Sequence, residues 1–322
     1  MKQILKNITL SLVVLIIIFA IFEIAFRLIA GSPIQTRGQH IAERREGDMK
    51  YALEANIDRE YAGARVVTNS LGLRDFRPPH KSDGTEQILI LGDSFTFGYG
   101  VALEQSYPGA LEQLLNEAST TSEYEVINAG VPGYDTVDEL ELLKTIIEHY
   151  SPKWIVVGLH PGDFLSREEV EKRPMIRLRE ALRYNSAFFA WFMRFYKTQL
   201  IKYVPPPKSM LSVDPGKVLN SPAATRNKEA LKEIRAIAEA SGAETAVFMI
   251  APLISWQRYP YKSMHTGLAE FCEANQIHFV DPLDDLSKHE PADLWVGPND
   301  SHYNPQANRI AAEVLRRFLK SM

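Results

Sequence analysis

Gln87-Ile88-Leu89-Ile90-Leu91-Gly92-Asp93-Ser94-Phe95-Thr96-Phe97-Gly98 is the stretch on which the reading of the whole chain turns. The apolar run from Ile88 to Leu91 shows no polar alternation and is too short to suggest a helix. Such a run fits a strand buried on both faces, which is what a parallel sheet covered by helices requires. It stops at Gly92, and a turn carrying Asp93 and Ser94 follows.

The same pattern recurs on the C-terminal side. Tyr124-Glu125-Val126-Ile127-Asn128, Trp154-Ile155-Val156-Val157-Gly158-Leu159, Thr245-Ala246-Val247-Phe248-Met249-Ile250 and Ile277-His278-Phe279-Val280 read as further strands. Helices are expected between them. One starts near Pro108 with Leu111, Leu114 and Leu115 on one face, and another runs from Thr136 to about Tyr150, opened by a Thr136-Val137-Asp138-Glu139 capping box. Ser221-Pro222 opens a third with proline in its first turn, a fourth covers roughly 261–275, and Asn304-Pro305 begins the last. Strands alternating with helices predict a three-layer α/β/α domain with a five-stranded, mostly parallel sheet.

In an open sheet of this kind, sites form beyond the carboxyl ends of the strands. The first strand is followed by Gly92-Asp93-Ser94, the second by Asn128-Ala129-Gly130-Val131-Pro132-Gly133, and the third by His160-Pro161-Gly162-Asp163. Asn299-Asp300-Ser301-His302-Tyr303-Asn304 precedes the last helix. A serine, two glycine turns and an Asp/His pair therefore share one edge. A serine hydroxyl becomes a useful nucleophile only when a base takes its proton. His302 is suited to that task, and Asp300, two residues away on extended chain, would point to the same side and orient the imidazole. Asp93 reads as a structural hydrogen-bonding residue of the turn.

Taken in order, these blocks resemble those of the SGNH/GDSL hydrolases. Gly92-Asp93-Ser94 resembles the first block, Gly133 matches the glycine of the second, and Asp300-Ser301-His302 resembles the last. Asn69-Ser70-Leu71-Gly72-Leu73-Arg74 is similar to a segment that precedes the first block in membrane-anchored bacterial members. The resemblance covers roughly residues 65–165 and 225–320. It implies a flavodoxin-like SGNH hydrolase fold, a catalytic triad of Ser94, Asp300 and His302, and an oxyanion hole using the backbone N–H groups of Ser94 and Gly133. The chain departs from the pattern at Gly162, where the family has an Asn whose side chain donates to the oxyanion. Three readings of that departure stand side by side: a weaker hydrolase, a replacement donor such as His160, or adaptation to another acyl acceptor. If the site tolerates the side chain, Gly162→Asn should leave simple-ester hydrolysis equal or higher. The resemblance implies a serine esterase acting on carboxylic esters, acyl or acetyl, of an extracytoplasmic glycan, lipid or other acylated molecule. O-acyl transfer to a sugar hydroxyl by the same triad is the alternative, and a catalytically silent envelope scaffold is a third reading.

Composition sets bounds on the rest. A hydrophobic fraction of 45% over 322 residues can build a full core, and a formal net charge of −4 does not suggest a nucleic-acid binder. Cys272 is the single cysteine, so no intrachain disulfide forms, and its apolar surroundings suggest a buried thiol. His40, His80, His149, His265, His278 and His289 show no metal-ligand spacing, and Gly98-Tyr99-Gly100 does not continue as a phosphate loop, so neither metal nor cofactor is expected.

Residues 1–30 read as an N-terminal transmembrane anchor, with the membrane contacted through residues 7–30; the apolar run is close to the roughly 20 residues a spanning helix needs. Leu28-Ile29-Ala30 makes a poor cleavage site, which favours a retained anchor over a cleaved signal. Glu23 and Arg27 fall on one face and can pair. Lys2 and Lys6 before the span are offset by Arg37, Arg44, Arg45 and Lys50 after it, so charge alone does not orient it; an extracytoplasmic domain is what the resemblance implies. Residues 31–64 read as a juxtamembrane linker and 65–322 as the catalytic domain, interrupted by an insertion at 165–220. Phe189, Phe192, Tyr196 and Leu200 in that insertion follow helical spacing, with Arg183, Arg194 and Lys197 nearby. That helix is either a lid or membrane contact, or a helix packed on the domain. Tyr203-Val204-Pro205-Pro206-Pro207 reads as a stiff linker.

Overall fold

Helix α1 (Lys2–Ala30) precedes a hairpin of β1 (Asp58–Tyr61) and β2 (Ala64–Val67), and the α/β domain then begins with β3 (Glu86–Gly92). The computed structural model describes residues 2–30, 41–43, 51–82, 84–117, 123–164, 178, 181–182, 185–200, 203–204, 218–297 and 300–322. After β3 come α2 (Ser94–Phe97), α3 (Tyr107–Glu117), β4 (Tyr124–Gly130), α4 (Thr136–Ile146), β5 (Pro152–Leu159) and α5 (Ala187–Phe195). The chain continues through α6 (Pro222–Ser241), β6 (Glu244–Met249), α7 (Lys262–Ala274), β7 (His278–Val280), a short pair β8 (Trp295–Gly297) and β9 (Asp300–Tyr303), and α8 (Pro305–Ser321).

The apolar runs form one sheet in the order β4-β3-β5-β6-β7, with every neighbouring pair parallel. Alternate residues of each strand feed opposite faces. Leu89, Leu91, Ile155, Val157, Val247 and Met249 pack with Leu140 and Leu143 of α4, Leu231 and Ile234 of α6, and Leu268 and Cys272 of α7. Ile88, Ile90, Val156 and Phe248 pack with Leu111 and Leu115 of α3 and with Ala311 and Leu315 of α8. Each large side chain so buried is worth about 1.5–3 kcal/mol, which is why runs apolar on both sides fold only as the middle layer of three.

Several expectations change in detail. The N-cap of α4 is Asp135, whose side chain accepts from the N–H groups of Val137 and Asp138 while Asp138 accepts from the N–H of Asp135. The expected box on Thr136 and Glu139 does not form, because both residues lie inside the helix with buried side chains. Residues 51–64, expected as the end of a linker, belong to the domain: Leu53 and Ile57 are buried in the same core as Leu89, and the Tyr51 hydroxyl donates to the Pro132 carbonyl at 2.5 Å. Residues 31–40 and 44–50 lie outside the described residues, as do Arg183, Pro205-Pro206-Pro207 and most of 165–220. Within α1, Thr9–Ile29 is an apolar stretch of 21 residues with a mean hydropathy of 2.8 and no buried share.

Candidate active site

A row of glycines prepares the carboxyl edge. Gly92 and Gly130 end their strands, Gly158 is the last residue but one of β5, and the three face one another in register. A Cβ at Gly130 would lie 2.2 Å from the Phe97 nitrogen, and one at Gly158 would lie 2.4 Å from Thr96 Oγ1. Without side chains there, α2 settles directly on the strand ends. Asp93 caps that short helix by accepting from the Phe95 N–H at 2.8 Å, the structural role expected of it. Ser94, the first residue of α2, is half-buried at the edge.

The loop that follows α2 is held from beneath. Arg74 is fully buried, and its guanidinium donates to the carbonyls of Phe97, Gly98 (2.8 Å), Val101 (2.7 Å) and Arg65 (3.3 Å). Burial lowers its pKa to about 10. Asn69 shapes the approach: its side-chain oxygen accepts from the N–H groups of Leu71 (3.0 Å) and Leu73 (3.1 Å). Gly72 takes a left-handed φ of +76°, and any Cβ there would lie 2.4 Å from the Leu53 carbonyl oxygen. The Asn-Ser-Leu-Gly-Leu-Arg segment is thus a bracket for the loop behind Ser94.

Asp300 and His302 arrive on β9. The strand is fixed by Tyr303, whose hydroxyl donates to the Ala251 carbonyl at 2.9 Å and accepts from the Ala251 N–H at 3.0 Å. Trp295 of the paired strand donates to the Leu253 carbonyl at 3.0 Å. The imidazole of His302 lies between the rings of Phe95 and Tyr99, each centroid 4.7 Å away. His302 Nδ1 is 2.6 Å from Asp300 Oδ1, and His302 Nε2 is 2.8 Å from Ser94 Oγ. A carboxylate can only accept, so Nδ1 carries the proton and Nε2 presents a lone pair to the serine hydroxyl. The residues singled out as a triad are therefore joined in one hydrogen-bonded line.

The other site residues also collect here. Gly133 sits in the turn after β4 with a φ of +85°, and the Val131 N–H donates to the Gly92 carbonyl at 2.9 Å, tying that loop to the strand that leads to Ser94. Among the described residues, neither the Ser94 N–H nor the Gly133 N–H has an acceptor. His160 stacks on Phe95 with centroids 5.1 Å apart and planes at 16°. Its Nδ1 accepts from the Gly162 N–H at 2.9 Å. That bond sets the tautomer: the proton is on Nε2, which has no partner among the described residues. Desolvation, with His302 nearby, lowers the His160 pKa to about 3, so the ring stays neutral. A Cβ at Gly162 would lie 2.8 Å from His160 Nδ1. The site therefore does not accommodate an asparagine at 162 while His160 stands where it does, which removes the condition on which Gly162→Asn was expected to be harmless.

Beneath the site lie buried acids that the sequence reading did not group. Asp93, His160 and Asp163 each bring one ligand-type atom to within 4.8 Å of the others. Two of the atoms in this cluster are already engaged within the protein: His160 Nδ1 by the Gly162 N–H and Asp163 Oδ2 by the His160 N–H at 2.8 Å. Burial raises the carboxyl of Asp93 to about 6 and those of Asp163 and Glu139 well above the usual range, with repulsion from Asp93 adding to the last two. Both carboxyl oxygens of Glu139 are buried without a hydrogen-bond partner among the described residues. A surface cavity of about 610 Å³, lined by Arg235, Glu239, Glu244 and His278 among others, lies at the amino ends of β6 and β7, away from Ser94.

No family model matches the chain. It is 31% identical over 84 residues to an arylesterase of Vibrio mimicus, a match covering 26% of this chain and 41% of that protein. It is 29% identical over 85 residues to thioesterase 1/protease 1/lysophospholipase L1 of Escherichia coli strain K12, covering 26% and 38%. The match thus spans about two fifths of the length of these curated relatives. Among solved structures, the crystal structure of TesA has a TM-score of 0.47 and 16% sequence identity, covering 73% of this chain and 99% of that one. A solved lipolytic protein of the G-D-S-L family from Desulfitobacterium hafniense has a TM-score of 0.46 and 15% sequence identity, covering 72% of this chain and 99% of that one.

Proposed function

We propose that the chain is a serine ester hydrolase, with Ser94 as nucleophile, His302 as general base and acid, and Asp300 as the residue that orients and stabilises the imidazole. The observation that carries this reading is the unbroken line from Asp300 Oδ1 through His302 to Ser94 Oγ, with links of 2.6 and 2.8 Å. The names of the curated relatives agree with it.

Ser94 Oγ attacks the ester carbonyl as His302 Nε2 takes its proton. Asp300 holds the charged imidazolium in place. The tetrahedral oxyanion is received by the N–H groups of Ser94 and Gly133 and by His160 Nε2–H. His302 then protonates the departing alkoxide, and the acyl-Ser94 ester is cleaved by water activated in the same way. A donor at His160 supplies what the family's asparagine would supply. That weakens the case for acyl transfer, which rested on the missing donor. The hydrogen-bonded line from Asp300 through His302 to Ser94 also favours catalysis over a silent scaffold.

The reading extends to location. The Thr9–Ile29 segment would be about 32 Å long at 1.5 Å per residue, close to the roughly 30 Å of a bilayer core. We assign α1 as a retained single-pass anchor, with the catalytic domain outside the cytoplasm acting on an acylated glycan or lipid. Hydrolysis of p-nitrophenyl acetate by the purified protein tests the chemistry. Ser94→Ala and His302→Ala should reduce turnover to background with unchanged circular dichroism. Retained turnover in both folded variants would show that the chemistry lies elsewhere.

A further inference from the structure

Glu23 is an acid within the apolar stretch of α1, and it is fully engaged by the insertion. Its carboxylate accepts from Ser186 Oγ (2.7 Å), the Ala187 N–H (3.0 Å) and the Phe188 N–H (3.2 Å). Arg27 Nε donates to it at 2.6 Å, and Arg27 Nη2 donates to the Asn185 carbonyl at 2.9 Å. Ser186 Oγ accepts from the Phe189 N–H at 3.0 Å. The free amides at the start of α5 are thus satisfied jointly by its own N-cap and by a side chain of α1.

Aromatic rings continue the contact. Phe188 meets Phe19, Phe22 and Phe26 with centroids 5.4–5.8 Å apart, and Trp191 lies 4.6 Å from Phe26. Trp191, Phe192 and Phe195 nevertheless remain 37–39% exposed, and Trp191 joins them to the exposed apolar surface of α1 through Phe26. Glu23 stands six residues before the end of the apolar stretch at Ile29, about 9 Å along the helix axis. The start of α5 is held at that depth.

We infer that α5 is a second membrane element, seated in one leaflet beside α1, with its partner the lipid bilayer. This inference rests on the reading of α1 as an anchor. Backbone can lie at that depth only where its polar groups are satisfied, and Glu23 with Ser186 satisfies them. The occupant is lipid because the exposed aromatic face of α5 is continuous with a surface whose length matches a bilayer. The insertion is also fastened to the catalytic edge: the Ser255 N–H donates to the Lys197 carbonyl at 3.2 Å, and Lys197 Nζ lies 5.9 Å from the ring of Trp295, in the strand paired with that of His302. Seating α5 therefore holds the catalytic edge near the membrane surface.

The test uses the full chain in vesicles of phosphatidylcholine and phosphatidylglycerol in which some phosphatidylcholine carries brominated chains. The difference in emission between wild type and Trp191→Phe isolates Trp191. The expected result is that bromine quenches most of this emission and aqueous iodide quenches little of it. In parallel, a fluorophore on Ile18→Cys, in a Cys272→Ser background, reports on α1. Lipid exposure at Ile18 with Trp191 open to iodide overturns the inference and leaves the anchor standing. Water exposure at Ile18 removes both. Glu23→Gln, which weakens the cap, should shift Trp191 toward iodide while ester turnover in detergent is retained. Unchanged quenching in that variant shows that Glu23 does not hold α5 in place.

Discussion

Replacing His160 with phenylalanine is the perturbation that separates the unusual part of this site from its scaffold. The substitution keeps an aromatic ring of similar shape against Phe95, where the present stack has centroids 5.1 Å apart. It deletes the acceptor for the Gly162 N–H, now 2.9 Å away, and the Nε2–H donor assigned to the oxyanion. The two losses have different signatures. An orphaned backbone N–H costs about 1–3 kcal/mol of stability, read as a lower urea midpoint. A lost oxyanion donor costs about 10²–10³ in kcat, or roughly 2.7–4 kcal/mol of transition-state stabilisation. Because that donor acts only on the developing charge, kcat and kcat/KM should fall together while KM stays put. Steady-state hydrolysis of p-nitrophenyl esters at saturating substrate measures the split. His160→Gln, which can both accept from Gly162 and donate to the oxyanion, should recover part of the loss. A folded His160→Phe with wild-type kcat, or one whose whole defect is in KM, refutes the donor role.

Other expectations follow from the same geometry. Gly162→Asn should lose activity rather than gain it, since its Cβ would lie 2.8 Å from His160 Nδ1 and displace the ring; kinetics at or above wild type would contradict this. Arg74→Met should destabilise the fold by roughly 3–5 kcal/mol in urea titration, because the buried carbonyls it serves lose their donor at about 1–3 kcal/mol each, less what water recovers. Glu139 holds its proton in the folded state to well above the usual carboxyl range, from burial first and then Asp93. The unfolded chain releases that proton near pH 4.3, so the folded state binds the extra proton and stability falls as pH rises from about 4 toward the folded-state value. Glu139→Gln should therefore be more stable than wild type at about pH 8, with the gain absent near pH 4; thermal melts that differ equally at both pH values would rule out this origin.

The sheet was legible because its strands are buried on both sides and read as plain apolar runs. The first strand extends from Glu86 to Gly92, beyond the apolar core from Ile88 to Leu91, because pairing depends on backbone and register as well as side chains. The capping of α4 was misplaced by one residue. Asp135/Asp138 and Thr136/Glu139 have the same spacing, and only the burial of Glu139 decides between them. Residues 51–64 escaped because Leu53 and Ile57 enter the core singly, without a period to betray them. At the site, Ser94, Asp300 and His302 could be placed by order along the chain and by the edge they share. His160 could be named as a candidate donor, but which nitrogen carries its proton follows from a bond to the Gly162 N–H. Phe95 and Tyr99, which sandwich His302, lie within a few residues of Ser94 but carry no signal of their own. The clamp by Arg74 explains why an arginine ends the Asn69–Arg74 segment, and that requires knowing which carbonyls turn inward.

The most direct test of the central claim is covalent. Wild-type protein should be labelled by a fluorophosphonate probe, with the adduct on the peptide containing Ser94 by mass spectrometry. Labelling should vanish in Ser94→Ala and slow sharply in His302→Ala. A folded wild type that resists the probe while a control esterase reacts, or labelling that persists in Ser94→Ala, would contradict the assignment of Ser94 as nucleophile.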